Sequence, residues 1–347
     1  MRKPHFSKSV CLLAIVGFAL AVTGLCFGPA VPLAEAEKTH LRLGTSKEGT
    51  NGYACGVGLS AAVKKNLDQV SMEAVPTPGS TASVKILSKE GVDAAYSSSW
   101  TLNDAYKNTG PFAEKPITRR PLQGWYFFTA EFYPIVKADS DIKHYGDLAG
   151  RKVFPYVAGA GVYDNFKAVY VKLGLWDKMK LRQVGLMEAA DALKMGTVEC
   201  VAGYHFNGGL STAPWLRDID ARLEFRAVNP TPEEKEQIKQ VSGFSFGMSG
   251  NKWMRPVNQG HNPEVFYFAV HYGFHPSPNV STEVWYQVFK TWVEKAESDL
   301  APVNATLKFY ASDPLKQVVD GIIHNGETSS CTLKFEIITC VRTAETW

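Results

Sequence analysis

Beyond Phe27, this 347-residue chain has no apolar run long enough to cross a membrane. It also lacks a charge excess, because 37 basic residues face 34 acidic ones, so no overall field favours nucleic acid as a partner. Its six cysteines are not spaced like metal ligands. The sequence contains neither a GxSxG nucleophile motif nor the Lys-Ser/Thr ending of a phosphate-binding loop. We therefore predict a protein with no catalytic residue, no metal site and no cofactor.

Two histidines are the nearest approach to a metal motif. His271 and His275 lie four residues apart, as on a zinc-binding helix, but Gly273 and Pro276 disfavour a helix there. An enzyme on this scaffold stays a third hypothesis, which would need a nucleophile and a base.

The N-terminus resembles a secretory signal peptide. A basic region (residues 2–8) precedes an apolar stretch (10–27), and Ala34-Glu35-Ala36 offers a small-residue cleavage site. We expect residues 1–36 to be removed and the protein to act in the periplasm. Cleavage would remove three basic residues and one acidic residue, which leaves a net charge near +1.

Four cysteines would remain after cleavage. Cys331 and Cys340 are candidates for a disulfide in an exported protein, but the sequence does not decide whether they pair.

The first part of the mature chain alternates between strand and helix patterns. Each strand leads into a polar loop, rich in glycine or serine, and then into a helix. This alternation predicts an α/β sheet, whose ligands bind where the strands end. The strands are expected at 41–45, 72–75 and 92–96 and the helices at 56–67, 81–89 and 102–107; Ser80 or Thr81 is the expected N-cap of the second helix, and residues 97–100 are an expected loop.

A second group of strands and helices follows an aromatic strand at 125–137. The expected elements are a short helix or turn at 142–148, strands at 181–184, 198–204 and 224–228, a helix at 188–194, extended segments within 244–274, and helices at 283–300 and 307–324. We read the aromatic residues of the helix at 283–300 as core.

The stretch from Lys152 to Leu175 is the most informative one. It predicts a strand, a glycine turn and a helix at 162–173 that ends at Gly174. The turn, Ala158-Gly159-Ala160-Gly161, would expose backbone N–H groups at the positive end of the helix dipole, which favours an anion such as a carboxylate. The alternative is a plain turn whose glycines only allow tight packing.

Four blocks of sequence resemble the TAXI family, the solute-binding proteins of one class of TRAP transporter. The blocks are Gly44-Thr45 with 51–56, residues 76–83, residues 139–153 with the glycine turn after them, and residues 188–193 with Gly196 and Glu199. The resemblance covers about residues 40–325. It implies a two-lobed, type II-like periplasmic-binding-protein fold with a hinge and an interlobe cleft, which closes over a small organic anion.

The resemblance also implies a domain division and partners. Lobe 1 would comprise 37–136 and 250–326, lobe 2 would comprise 137–249, and 327–347 would form a C-terminal tail. The expected partners are a small organic anion and TRAP membrane permease subunits; we expect a monomer that binds no nucleic acid. The alternative function is a periplasmic sensor subunit, which would present the same ligand to a signalling receptor.

The chain departs from the family pattern in the glycine turn. Residues with hydroxyl groups have become Ala160 and Val162, and a leading glycine has become Tyr156. Together with Trp100, these changes suggest a more aromatic and less polar pocket, suited to a partly apolar or flat acid. The predicted ligand-binding residues are Tyr53, Thr77, Ser80, Ser98, Trp100, Tyr156, Gly159, Ala160, Gly161 and Tyr204.

Overall fold

The structure is a computed structural model that describes residues 38–314. The predicted signal peptide, the tail at 327–347 and the Cys331/Cys340 pair lie outside the described residues. The strands are β1 (Thr39–Gly44), β2 (Val70–Val75), β3 (Ala94–Ser98), β4 (Trp125–Lys137), β5 (Lys152–Phe154), β6 (Lys180–Leu181), β7 (Cys200–Phe206), β8 (Phe225–Ala227), β9 (Ser245–Ser249) and β10 (Val265–Pro276). The α-helices are α1 (Asn51–Asn66), α2 (Ser80–Leu87), α3 (Ser99–Lys107), α4 (Gly161–Lys172), α5 (Ala189–Lys194), α6 (Pro214–Arg222), α7 (Pro232–Ile238), α8 (Pro256–His261), α9 (Thr282–Glu294) and α10 (Ala305–Ser312).

These strands form a single mixed sheet in the order β2-β1-β3-β10-β4-β7-β5-β6, with β8 paired to β4 and β9 paired to β10. The β1, β2 and β3 strands are parallel to one another, and so are β5, β6 and β7. Between these two parallel groups, β10 and β4 run antiparallel to their neighbours. The arrangement confirms the predicted α/β class. The division into two lobes stays a prediction.

The two central strands are long and almost wholly buried. The sequence prediction gave the bounds of β4 correctly, because its 13 residues are mostly apolar and aromatic, with Thr129, Glu131 and Lys137 as the exceptions. Successive side chains of a strand point to opposite faces of the sheet. The Phe128, Ala130 and Phe132 side chains therefore share one face, whereas Glu131 and Tyr133 lie on the other.

The β10 strand carries an irregularity opposite β4. Tyr272 pairs with Phe128, but Gly273 pairs with Tyr126, so the register shifts between Tyr272 and Gly273. A Cβ atom on Gly273 would lie 1.9 Å from the carbonyl oxygen of Trp125, so a side chain at this position does not fit. Such a bulge bends a strand and redirects its side chains.

Some predicted helix boundaries were wrong, each for a local reason. Residues 97–100 are not a loop, because β3 continues to Ser98 and α3 begins at Ser99. The Ser98 hydroxyl caps α3 by accepting a hydrogen bond from the backbone N–H of Thr101 (3.1 Å). The N-cap of α2 is Gly79 rather than Ser80 or Thr81. The helix predicted at 283–300 is α9 followed by a π-helical turn at Ala296–Leu300.

Three short helices were not predicted at all. Each of α6, α7 and α8 begins with proline, which fits the first helical turn because that position needs no N–H partner. The segments are polar and only six to nine residues long, so they lack a clear apolar period.

The aromatic residues of α9 belong to the core, as predicted. The rings of Trp285, Phe289 and Trp292 are all buried, and Phe289 stacks on Trp125 with centroids 5.0 Å apart. Within residues 38–314, none of the helices combines the length and apolar character that a membrane span requires.

A buried polar cluster lies on the Glu131 face of the sheet. One Glu131 carboxylate oxygen contacts Nε2 of His205, and the other accepts a hydrogen bond from the backbone N–H of Gly208 (2.8 Å). The Nδ1 atom of His205 lies 3.0 Å from the Tyr133 hydroxyl, and its Nε2 atom lies 3.0 Å from the Ser249 hydroxyl. His205 and Tyr133 are fully buried, and the exposed fraction of Glu131 is 4%. The cluster joins β4, β7 and β9.

Candidate functional site

A cavity of about 630 Å³ opens where strands of both parallel groups end. Its walls come from the loops that follow β1, β2, β5, β6 and β7, together with side chains of the two central strands. Pockets for small ligands in proteins have about this volume. The position agrees with the expectation that ligands of α/β sheets bind at the carboxyl ends of the strands.

Helices begin at this cavity. The N-cap residues of α2, α4 and α6 are Gly79, Ala160 and Ala213, and all three line the cavity. None of these residues has a side-chain oxygen, so none can cap the first-turn N–H groups of its helix. Pro214 has no N–H group, which leaves α2 and α4 with the richer sets of donors. Their uncapped N-termini make this wall of the cavity electropositive.

The N-termini of α2 and α4 are close to each other. A Cβ atom on Gly79 would lie 3.8 Å from the Cα atom of Ala160, and a Cβ atom on Gly161 would lie 2.2 Å from the Ser80 hydroxyl oxygen. The absence of a side chain at Gly161 therefore allows the two helix ends to meet. An anion placed in the cavity beside this junction would reach backbone donors from both helices.

Eight aromatic side chains also line the cavity. Tyr272 stacks on Tyr96 and on Phe128, in both cases with centroids 5.3 Å apart. The ring centroids of Tyr204 and Trp215 lie 6.0 Å apart, and the Trp215 indole N–H donates a hydrogen bond to the Tyr204 hydroxyl (3.2 Å). The aromatic lining consists of Tyr96, Phe128, Phe132, Tyr156, Tyr204, Phe206, Trp215 and Tyr272.

Charged side chains are confined to the cavity rim. Of the lining residues, only Lys47, Glu48 and Glu188 carry a charge at neutral pH, and all three are exposed. Burial raises the pKa of Tyr156, Tyr204 and Tyr272, so these phenols stay neutral. The interior therefore offers helix dipoles and neutral rings, without a buried formal charge.

A carboxyl group links α2 to α4 next to the cavity. The Thr81 hydroxyl donates a hydrogen bond to Oδ2 of Asp164 (3.2 Å). Burial raises the pKa of Asp164 from its ordinary value of 3.8 to about 6, while the Thr81 hydrogen bond and nearby Lys167 and Lys85 act in the opposite direction and Asp104 adds a small upward shift. Separating α2 from α4 would return this carboxyl group to water and its pKa to the ordinary range.

We expect ligand binding to strengthen as the pH falls from about 7.5 to 5.5. In the predicted two-lobed arrangement, in which α2 and α4 belong to different lobes, a closed cleft would bind more protons than an open one between the two pKa values of Asp164. A rise in pH through about 6 would then weaken closure. Carboxylate ligands stay ionised over this range. Calorimetric titration should give a several-fold increase in affinity for the wild type and a flat profile for Asp164→Asn. An equal pH dependence in the variant would exclude Asp164 as its source.

Half of the ten predicted ligand-binding residues line the cavity. These are Ser80, Tyr156, Ala160, Gly161 and Tyr204. Their contact with a ligand remains a prediction.

The other five predicted residues lie outside the cavity lining. The Thr77 hydroxyl donates to the carbonyl of Thr45 and Ser98 caps α3, whereas Tyr53 lies on α1 and Gly159 is exposed. Trp100 stacks on Phe244, with centroids 5.9 Å apart. Because α3 begins at Ser99, Trp100 is a helical residue rather than a loop residue, and its ring packs away from the cavity.

Sequence reasoning missed most of the aromatic lining. Phe128 and Phe132 alternate with polar residues on β4, a signal that would have placed both on one face of the strand. Trp215 lies on α6, which has no clear sequence signal. Within residues 38–314 there is no group of three His, Cys, Asp or Glu residues placed to hold a metal ion.

Solved structures with a similar fold include three at low sequence identity. The structure of XAC2383 from Xanthomonas citri bound to ATP aligns with a TM-score of 0.50 and 11% identity, over 83% of this chain and 99% of that one. A putative L-cystine ABC transporter from Listeria monocytogenes aligns with a TM-score of 0.46 and 15% identity, over 82% of this chain and 98% of that one. The periplasmic aliphatic sulphonate binding protein SsuA from Escherichia coli aligns with a TM-score of 0.42 and 12% identity, over 83% of this chain and 84% of that one. At such identities the likeness concerns the fold alone, which is the type II fold of periplasmic binding proteins.

Residues 43–326 match the NMT1-like family, which covers most of the chain. The chain therefore belongs to the NMT1-like family.

Proposed function

We propose that this protein is the periplasmic solute-binding component of a TAXI-type TRAP transporter. It captures a small organic anion and delivers it to the membrane permease. The observation that carries this proposal is the meeting of two uncapped helix N-termini, those of α2 and α4, at the wall of an aromatic cavity of about 630 Å³. Backbone N–H groups in this arrangement bind a carboxylate without any charged side chain.

The mechanism is closure of two lobes over the ligand. In the predicted division, α2 belongs to lobe 1 and α4 to lobe 2, so a carboxylate between their N-termini contacts both lobes at once. Contacts with both lobes exist only in the closed state, and they therefore shift the population towards it. The permease then recognises the closed form.

The lining favours an acid with an apolar or flat portion. Eight aromatic residues surround the space next to the two helix ends, and burying an apolar group against them stabilises a complex by about 25 cal/mol per Å². A carboxylate attached to an aromatic or aliphatic body would use both parts of the cavity.

A thermal-shift screen of the purified protein tests the proposal. The panel contains amino acids, 2-oxoacids, dicarboxylates, aromatic carboxylates, alkanesulfonates and ATP. At about 1,000 times its dissociation constant, a ligand stabilises the native state by about 4 kcal/mol, which raises the melting temperature by several degrees. Benzoate and benzamide form a matched pair that differs in charge, and we expect the anion alone to stabilise the protein. No shift with any anion would contradict the proposed function.

A further inference from the structure

Tyr156 has an unusual backbone conformation for a residue with a side chain. Its φ angle is +93°, in the region that favours glycine, whereas the other described non-glycine residues with positive φ lie between +52° and +62°. Such strain persists only when the surrounding structure holds it in place, and it is concentrated at functional sites.

The contacts of the Tyr156 side chain explain what holds it. The ring stacks on Phe154 with centroids 6.3 Å apart, and it packs against Tyr204 at 6.1 Å and Trp215 at 6.0 Å. On the backbone side, the Gln183 amide donates a hydrogen bond to the Tyr156 carbonyl (3.3 Å). Only 7% of the residue is exposed, and it lines the cavity. The strained backbone thus places a buried ring in the ligand cavity.

Among the described residues, this part of the cavity offers no buried carboxylate as a partner for a cation. Glu48 and Glu188 are exposed at the rim, and Asp164 does not line the cavity and accepts the Thr81 hydrogen bond. The Tyr204 hydroxyl already accepts a hydrogen bond from Trp215. An ammonium group buried here would lose its hydration without gaining a carboxylate partner.

We propose that Tyr156 is the specificity-determining residue of the cleft, whose ring, with Tyr204 and Trp215, accepts the uncharged body of a carboxylate ligand and rejects a ligand that carries an ammonium group. This inference rests on the proposed function and narrows it to amine-free carboxylates with an aromatic or aliphatic body. Aromatic rings also attract cations, but this attraction is weaker than the cost of burying an ammonium group without a carboxylate partner.

Matched ligand pairs provide the test. 3-Phenylpropionate and L-phenylalanine differ only in the α-ammonium group, and so do hexanoate and L-norleucine, and glutarate and L-glutamate. By calorimetric titration of the wild type, we expect 3-phenylpropionate to bind at least about tenfold more tightly than L-phenylalanine, since an unpaired buried charge is costly. Hexanoate should show the same preference over L-norleucine.

Two variants separate the ring from the backbone. In Tyr156→Gly the backbone strain is relieved and water can enter, so we expect weaker binding of 3-phenylpropionate and a selectivity below about threefold. Tyr156→Phe retains the ring and should retain the selectivity. Melting temperatures measured without ligand verify that both variants fold.

Each alternative result has a distinct meaning. Tighter or equal binding of the amine-bearing member of any pair would overturn the inference and leave the proposed function intact. Binding of glutarate alone would overturn the requirement for an apolar body. Unchanged selectivity in Tyr156→Gly would remove the role of Tyr156. If no anion of the pairs or of the wider panel binds, the result would contradict the proposed function as well.

Discussion

Replacing Gly161 by leucine is expected to weaken ligand binding by at least about 100-fold, which corresponds to about 2.8 kcal/mol. A Cβ atom at this position would already lie 2.2 Å from the Ser80 hydroxyl oxygen, and the leucine branch would extend into the space between α2 and α4. Crowding in a packed region costs about 1–3 kcal/mol or more. The helix ends would be forced apart, and a carboxylate could no longer reach both sets of N–H groups. Calorimetric titration with the best ligand of the thermal-shift screen measures this loss.

Gly260→Leu is the matched control for this experiment. Gly260 is an exposed residue of α8, and no neighbouring heavy atom lies within 4 Å of the position that its Cβ would occupy. This variant should bind like the wild type. Because crowding of about 1–3 kcal/mol is relieved only in part when α2 and α4 separate, Gly161→Leu should lower the melting temperature without ligand by no more than a few degrees. Retained affinity in Gly161→Leu would show that α2 and α4 do not grip the ligand together.

Glu131→Ala is expected to lower the free energy of unfolding by about 3–5 kcal/mol. The substitution leaves His205 and the backbone N–H of Gly208 buried without the carboxylate that they contact. Unpaired buried polar groups retain the full cost of their lost hydration. Urea denaturation followed by circular dichroism measures the change, since the midpoint falls while the slope stays constant.

The surface pair of His261 and Glu224 supplies the comparison. Its atoms lie 3.1 Å apart, but 61% of the Glu224 side chain is exposed. Exposed ion pairs contribute about 0–1 kcal/mol, so Glu224→Ala should be nearly neutral. Similar losses in both variants would mean that burial of the Glu131 cluster does not determine its contribution.

Sequence patterns predicted the elements whose signals are local. The β4 strand was found with its correct ends because most of its residues are apolar or aromatic, and α4 was found within one residue because Gly161 and Gly174 flank a periodic segment. The glycine turn also pointed to the wall of the cavity, where Ala160 and Gly161 now lie. In each case the decisive contacts are between neighbours in the sequence.

The lining of the cavity depends on contacts that the sequence does not display. Tyr96, Phe128 and Tyr272 come from β3, β4 and β10, which are adjacent only because β10 returns to the centre of the sheet. Trp100 is predicted to line the pocket because residues 97–100 are expected to form a loop. Once Ser98 caps α3, the ring belongs to a helix and packs on Phe244, a residue 144 positions later.

The pairing of the two central strands, with its register shift at Gly273, also bears on how the protein unfolds. Because β4 bonds to β10 and β8 along one edge and to β7 along the other, the two parallel groups are joined by main-chain hydrogen bonds rather than by a linker. Melting either group alone would leave a long, apolar strand edge open to water and to other chains. We therefore expect the sheet to unfold as one cooperative unit, because the bulge bends β10 without interrupting its pairing with β4.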